Sequence, residues 1–97
     1  MAKYLVIWKA VNSRVSDNRE TRIKTQMAHT QLVQESLKSG ALKEWGTEPD
    51  GQRGYAIFEG SEADMALLAS VFVPYYEFQV APILTADQWM GALKTAA

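Results

Sequence analysis

Residues 53–84 read RGYAIFEGSEADMALLASVFVPYYEFQVAPIL, a strand, an amphipathic helix and a returning strand. Gly54 to Glu59 is rich in aromatic and β-branched residues and stops at Gly60 and Ser61, which is how a strand gives way to a helix start. Ser61 followed by Asp64 is a capping-box pattern. Met65, Leu68, Ala69 and Phe72 then recur at three- and four-residue spacing and mark one apolar helix face. Pro74 ends the helical stretch. From Tyr75 to Leu84 the period changes to two, with Tyr76, Phe78 and Val80 on one side and Tyr75, Glu77, Gln79 and Ala81 on the other. The first set is expected to face the helices, leaving the second on the opposite side of a sheet.

Working outward, Lys3 to Lys9 (KYLVIWK) is a nearly continuous apolar run, as in a strand covered on both sides. Leu5 and Ile7 form its compact aliphatic side, expected under the helices. Tyr4, Val6 and Trp8 form the other side, expected on the open sheet face with Tyr55, Ile57, Tyr75, Glu77 and Gln79. Asp17 with Glu20 predicts a helix start, and Gly40 a stop after Ser39. Along that helix Ile23, Met27, Thr30, Val33, Gln34 and Leu37 share a side, with His29 beside the stripe near Val33 and Ser36. Ala41 to Glu48 is a strand candidate, joined to the next by Pro49, Asp50 and Gly51 as a hairpin tip. Thr85 and Gln88 repeat the capping-box spacing before Trp89, Met90 and Leu93, a short C-terminal helix.

The order βαββαβα over residues 1–97, in a single domain, fits an α+β, ferredoxin-like βαββαβ plan: an antiparallel sheet, helices on one face and a short C-terminal helix. A domain of this length buries only about 60 to 65% of the surface its unfolded chain exposes. Yet 47% of the residues are hydrophobic. The open face is therefore expected to be covered by a second copy, giving a homodimer. There is no cysteine, which removes disulfides and thiolate chemistry and points to a cytoplasmic protein. No metal site is expected with a single histidine and no cysteine, no cofactor is implied, and no apolar run predicts a membrane span. The net charge of −1 argues against a nucleic-acid partner or an anionic membrane. Residues 1–45 carry eight Lys and Arg against four Asp and Glu, and residues 46–97 two against seven.

The segment Gly54 to Glu59, the helix after it and Phe78-Gln79-Val80-Ala81-Pro82-Ile83-Leu84 together resemble the C-terminal half of the dimeric α/β-barrel superfamily. Within it the chain is most similar to a small family of uncharacterised domains, and more loosely to muconolactone isomerase. The resemblance implies a sheet-to-sheet dimer. Because the superfamily holds isomerases, cofactor-free monooxygenases, haem-modifying enzymes and proteins without known activity, it selects no reaction.

From the residues, Glu77 is the candidate catalytic group. A carboxylate among aromatic side chains in a partly dry inter-sheet cavity would have a raised pKa and could shuttle protons. Solvation, or pairing across the dimer, is its ordinary alternative. Tyr4, Trp8, Tyr55, Tyr75 and Gln79 are the candidate ligand-binding set, suited to a small aromatic or lactone-like molecule that is bound, isomerised or oxidised between the sheets. Equally, the aromatics serve as a packed dimer core in a non-catalytic interaction module. Arg14, Arg19, Arg22 and Lys24 either grip an anionic substrate at the cavity mouth or form a solvated basic face, and His29, the one histidine, is either a general base or, as is more usual for a lone half-exposed helix histidine, inert.

Overall fold

The structure, a computed structural model, describes residues 2–14 and 16–97. Four strands, β1 (Lys3–Ala10), β2 (Leu42–Thr47), β3 (Arg53–Glu59) and β4 (Tyr76–Ile83), form one sheet in the order β2-β3-β1-β4. Every neighbouring pair is antiparallel. Three α-helices follow β1, β3 and β4: α1 (Arg19–Ser39), α2 (Glu62–Ser70) and α3 (Ala86–Ala96). The α+β class and the ferredoxin-like strand order are those expected from the sequence. None of the described helices is long and apolar enough to cross a membrane.

Local chemistry explains the boundaries. Asn18, rather than Asp17, caps α1, its side chain accepting from Thr21 N at 3.0 Å. Gly40 ends that helix at φ 88°, a conformation glycine adopts without steric cost. Ser61 caps α2 by accepting from Asp64 N, and Thr85 and Gln88 form a complete reciprocal capping box at the head of α3. At the β2-β3 tip, Asp50 Oδ1 accepts from Gln52 N while Gly51 sits at φ 72°, so the Asp-Gly pair makes the tight turn.

The core lies between the sheet and one face of α1 and α2. Its buried side chains include Tyr4, Val6, Val33, Leu42, Ala56, Phe58 and Met65, with Leu68, Ala69, Phe72 and Phe78 packed against them. The α2 face of Met65, Leu68, Ala69 and Phe72 is the one the sequence predicts. For α1 the prediction is rotated: Met27 is 66% exposed, and the side turned inward carries His29 and Val33.

For β1 the expected orientation is reversed. Tyr4, Val6 and Trp8 are buried on the helix side, whereas Ile7 is 42% exposed on the open side. Residues directly opposite in an antiparallel ladder share a face. Tyr4 pairs with Phe58 and Trp8 with Phe78, while Ile7 lies between Tyr55 and Gln79. The physical reason is volume: α1 offers little aliphatic bulk to the sheet, so the large rings of β1 fill the space beneath it. Trp8 stacks on Trp45 (centroids 5.6 Å apart, planes 11° from parallel) and meets Tyr76 edge-on at 5.5 Å. Gly54, opposite Trp8, makes room for this arrangement; a Cβ there would collide with the indole ring and with the Gly46 carbonyl oxygen.

Gly54→Ala is therefore expected to cost about 3 kcal/mol, the upper end for overpacking, because one of the atoms that would have to move is backbone. Gly91→Ala, in α3 with nothing within 4 Å of the added Cβ, serves as the control and should leave stability unchanged or slightly raised. Urea unfolding monitored by tryptophan fluorescence checks both.

Candidate functional site

Two clefts open on the helix side of the sheet, and they meet. The inner one has a volume of about 70 Å³ and an almost wholly apolar wall that includes Trp8, Val33, Trp45, Met65, Phe72 and Phe78. That is several times the roughly 10–15 Å³ a single water needs, but well short of the 300 Å³ or so of a drug-sized pocket, so it suits one small ring. The outer cleft, about 550 Å³, is polar and lies under the start of α1, bordered by Arg14, Arg22, Gln26, Asp50, Gln52 and Tyr75 among others. His29 and Tyr76 line both.

Each element positions its side chains for a sequence reason. The two-residue period of β4 sends Tyr76 and Phe78 to the helix side, and the period of α1 places Arg22, Gln26, His29 and Val33 at successive turns of one line. Tyr76 Oη thereby comes to 3.2 Å from His29 Nδ1. The imidazole is framed by rings: Tyr75, Tyr76 and Phe72 have centroids 5.1, 5.4 and 5.6 Å away. Partial burial lowers the His29 pKa, and burial raises that of Tyr76. Both groups are thus neutral near pH 7. A neutral imidazole accepts the Tyr76 hydroxyl proton at Nδ1 or donates from it, so the contact has two settings that differ by the position of a proton.

The arginines at the mouth extend the site's polar end. Arg22 Nη1 donates to the Ser16 carbonyl at 3.3 Å, which steadies the guanidinium at the wall. Among the described residues neither Arg14 nor Arg22 is in an ion pair. Lys24 instead pairs with Glu20 one turn away on α1, at 3.3 Å, and neither Lys24 nor Arg19 borders a cleft. Among the described residues, one buried polar atom in the inner region lacks a partner: Trp8 Nε1 has no acceptor.

The residues singled out from the sequence divide between the two faces. Trp8 and Tyr75 border the clefts, but on the helix side. Tyr75 precedes β4 in the connecting turn, so strand alternation does not govern it. Tyr4 is core, 6.4 Å centroid to centroid from Phe58. Tyr55, Glu77 and Gln79 do lie on the open face, as expected. Tyr55 donates its hydroxyl proton to Glu44 Oε1 at 2.6 Å, a bond that raises its pKa. Glu77 is exposed opposite Lys9 in the ladder and borders neither cleft, so the single chain gives it no cavity. No group of three or more potential metal ligands occurs among the described residues.

His29 and Tyr76 are the pair that sequence reading passes over. The available signal was a tyrosine on the helix-facing side of a strand: its ring can be buried but its hydroxyl needs a partner, and α1 supplies one.

No curated protein matches the chain. A family described as "Domain of unknown function (DUF3303)" matches residues 2–97. With the match extending over almost its whole length, the chain belongs to the DUF3303 family.

Proposed function

We propose that the protein binds a small molecule consisting of one planar apolar ring and an anionic group. The ring enters the inner cleft beside Trp8, Trp45 and Phe72, and the anion points to Arg14 and Arg22. The observation that carries this reading is the sharing of His29 and Tyr76 by the two clefts, which makes a single site with an apolar floor and a basic mouth. A wall of aromatic rings with a few converging polar groups is the usual composition of a small-molecule site. The unpartnered Trp8 Nε1 adds to it, because a buried donor without an acceptor costs about 1–3 kcal/mol, which an acceptor on a bound molecule could recover. Compared with an inter-sheet site built on Glu77, this location offers concavity, rings and positive charge within one chain.

A proton-transfer step on the bound molecule, as in an isomerisation, is supported by geometry: the His29 imidazole and the Tyr76 hydroxyl lie 3.2 Å apart at the junction of ring and anion, a base and a proton carrier side by side.

Isothermal titration with benzoate and with uncharged benzyl alcohol tests the binding claim. Benzoate should bind saturably; Arg22→Ala should weaken it about 10- to 100-fold, the worth of one charge-assisted hydrogen bond, and leave benzyl alcohol unaffected. Saturable binding by neither, or benzoate binding indifferent to Arg22 and to Trp45→Ala, would overturn the reading.

The His29 environment also makes a pH prediction. In the unfolded chain His29 takes up a proton near its ordinary 6.5, whereas in the folded protein it does so only at lower pH. Its contribution to stability is therefore full above 6.5 and is lost as pH falls from there through the folded-state value. The difference in urea midpoint between pH 8 and pH 5 should be smaller in His29→Gln than in the wild type.

A further inference from the structure

The C-terminal helix has an apolar side that none of the described residues of its own chain buries. Around α3, Ala86, Trp89, Met90, Leu93 and Ala96 fall within a sector of about 120°, while Asp87, Gln88, Gly91, Ala92, Lys94 and Thr95 occupy the remainder. Yet no residue of α3 is buried: Trp89 is 57% exposed, Met90 53% and Leu93 44%, and Leu84 just before the helix is 60% exposed. An 11-residue helix in water is marginal on its own, and a complete capping box does not replace packing.

The dimensions of the whole chain say how much surface is in question. It measures 58 × 23 × 23 Å, far from the near-spherical outline of a small domain. Its accessible surface is 7019 Å². A compact monomer of 10.8 kDa exposes about 5,500 Å², so roughly 1,500 Å² is in excess. A standard protein interface buries about 800 Å² per partner and permanent dimers more, so the excess is what one side of a permanent dimer interface would remove. The open sheet face carries an aliphatic strip of Leu5, Ile7 and Ile57 at its centre, bounded by charged residues that include Lys9, Arg53 and Glu77, and this strip is the apolar surface within the same molecule that α3 could match. With one Asp and one Lys, the polar side of α3 has none of the cationic bias of a helix lying on an anionic bilayer.

We infer that α3 is an exchanged arm: in a homodimer each copy lays Trp89, Met90 and Leu93 on the open sheet face of the other, around Ile7. The contact is reciprocal, so it closes at two copies. It involves neither of the clefts, and it stands or falls independently of the ligand reading.

The test uses the full chain. Light scattering after gel filtration should give about twice 10.8 kDa for the wild type and 10.8 kDa for both Leu93→Asp and Ile7→Glu. The near-ultraviolet circular dichroism of the Trp8–Trp45 stack should be retained in Leu93→Asp, whose site lies outside the folded core. Because the chain has no cysteine, Leu93→Cys and Ile7→Cys can be made separately and mixed. Under mild oxidation they should form a disulfide between the two different chains. A monomeric wild type, a dimeric Leu93→Asp, or failure of the mixed disulfide to form would each overturn the arm.

Discussion

The stacking of Trp8 on Trp45 is the contact on which the rest of the molecule depends. β1 is a central strand, paired on both sides, so the side to which Trp8 points fixes the facing of every residue in β3 and β4. Once the indole is under the helices, Tyr4 and Val6 must follow, along with Ala56 and Phe58 across one ladder and Phe78 across the other. The opposite face receives Leu5, Ile7, Tyr55, Ile57 and Gln79. Gly54 is the local condition for this, since any larger residue would occupy the space of the ring.

The same constraint shapes the site. A sheet that brings two tryptophans, two tyrosines and two phenylalanines beneath only two covering helices does not fill the layer evenly, and the inner cleft is what remains among the rings. α1 runs past this cleft with His29 level with Tyr76. Its first turns continue to Arg22, at the edge where the loop after β1 brings in Arg14. An apolar floor, a neutral proton-bearing pair and a positive mouth are thus arranged in order by one strand and one helix.

The element order, the hairpin, the caps at Ser61 and Thr85 and the apolar face of α2 were all legible in the sequence, because each rests on short-range spacing. The facing of β1 was not. In KYLVIWK both sets of alternate residues are apolar, so alternation has no contrast to read. The choice is made by helix volume, a long-range property. The inward line of α1 was obscured in a similar way, since Met27 and Leu37 stay exposed while a histidine turns in. For the site, the sequence singles out Trp8 and Tyr75 but alternation sets them on the wrong side of the sheet, and Glu77, on the open face, borders neither cleft of the single chain. The partnership of His29 and Tyr76 joins residues 47 positions apart, which no local pattern encodes.

The claim that most needs testing is that the helix-side cleft is where a ligand sits. The three tryptophans make it directly observable, because Trp8 and Trp45 border the inner cleft and Trp89 lies on α3, away from it. In a ¹H–¹⁵N correlation spectrum titrated with benzoate, the indole signals of Trp8 and Trp45 should move together and saturate, with that of Trp89 unchanged. Stationary Trp8 and Trp45 signals throughout the titration, or a shift confined to Trp89, would contradict it.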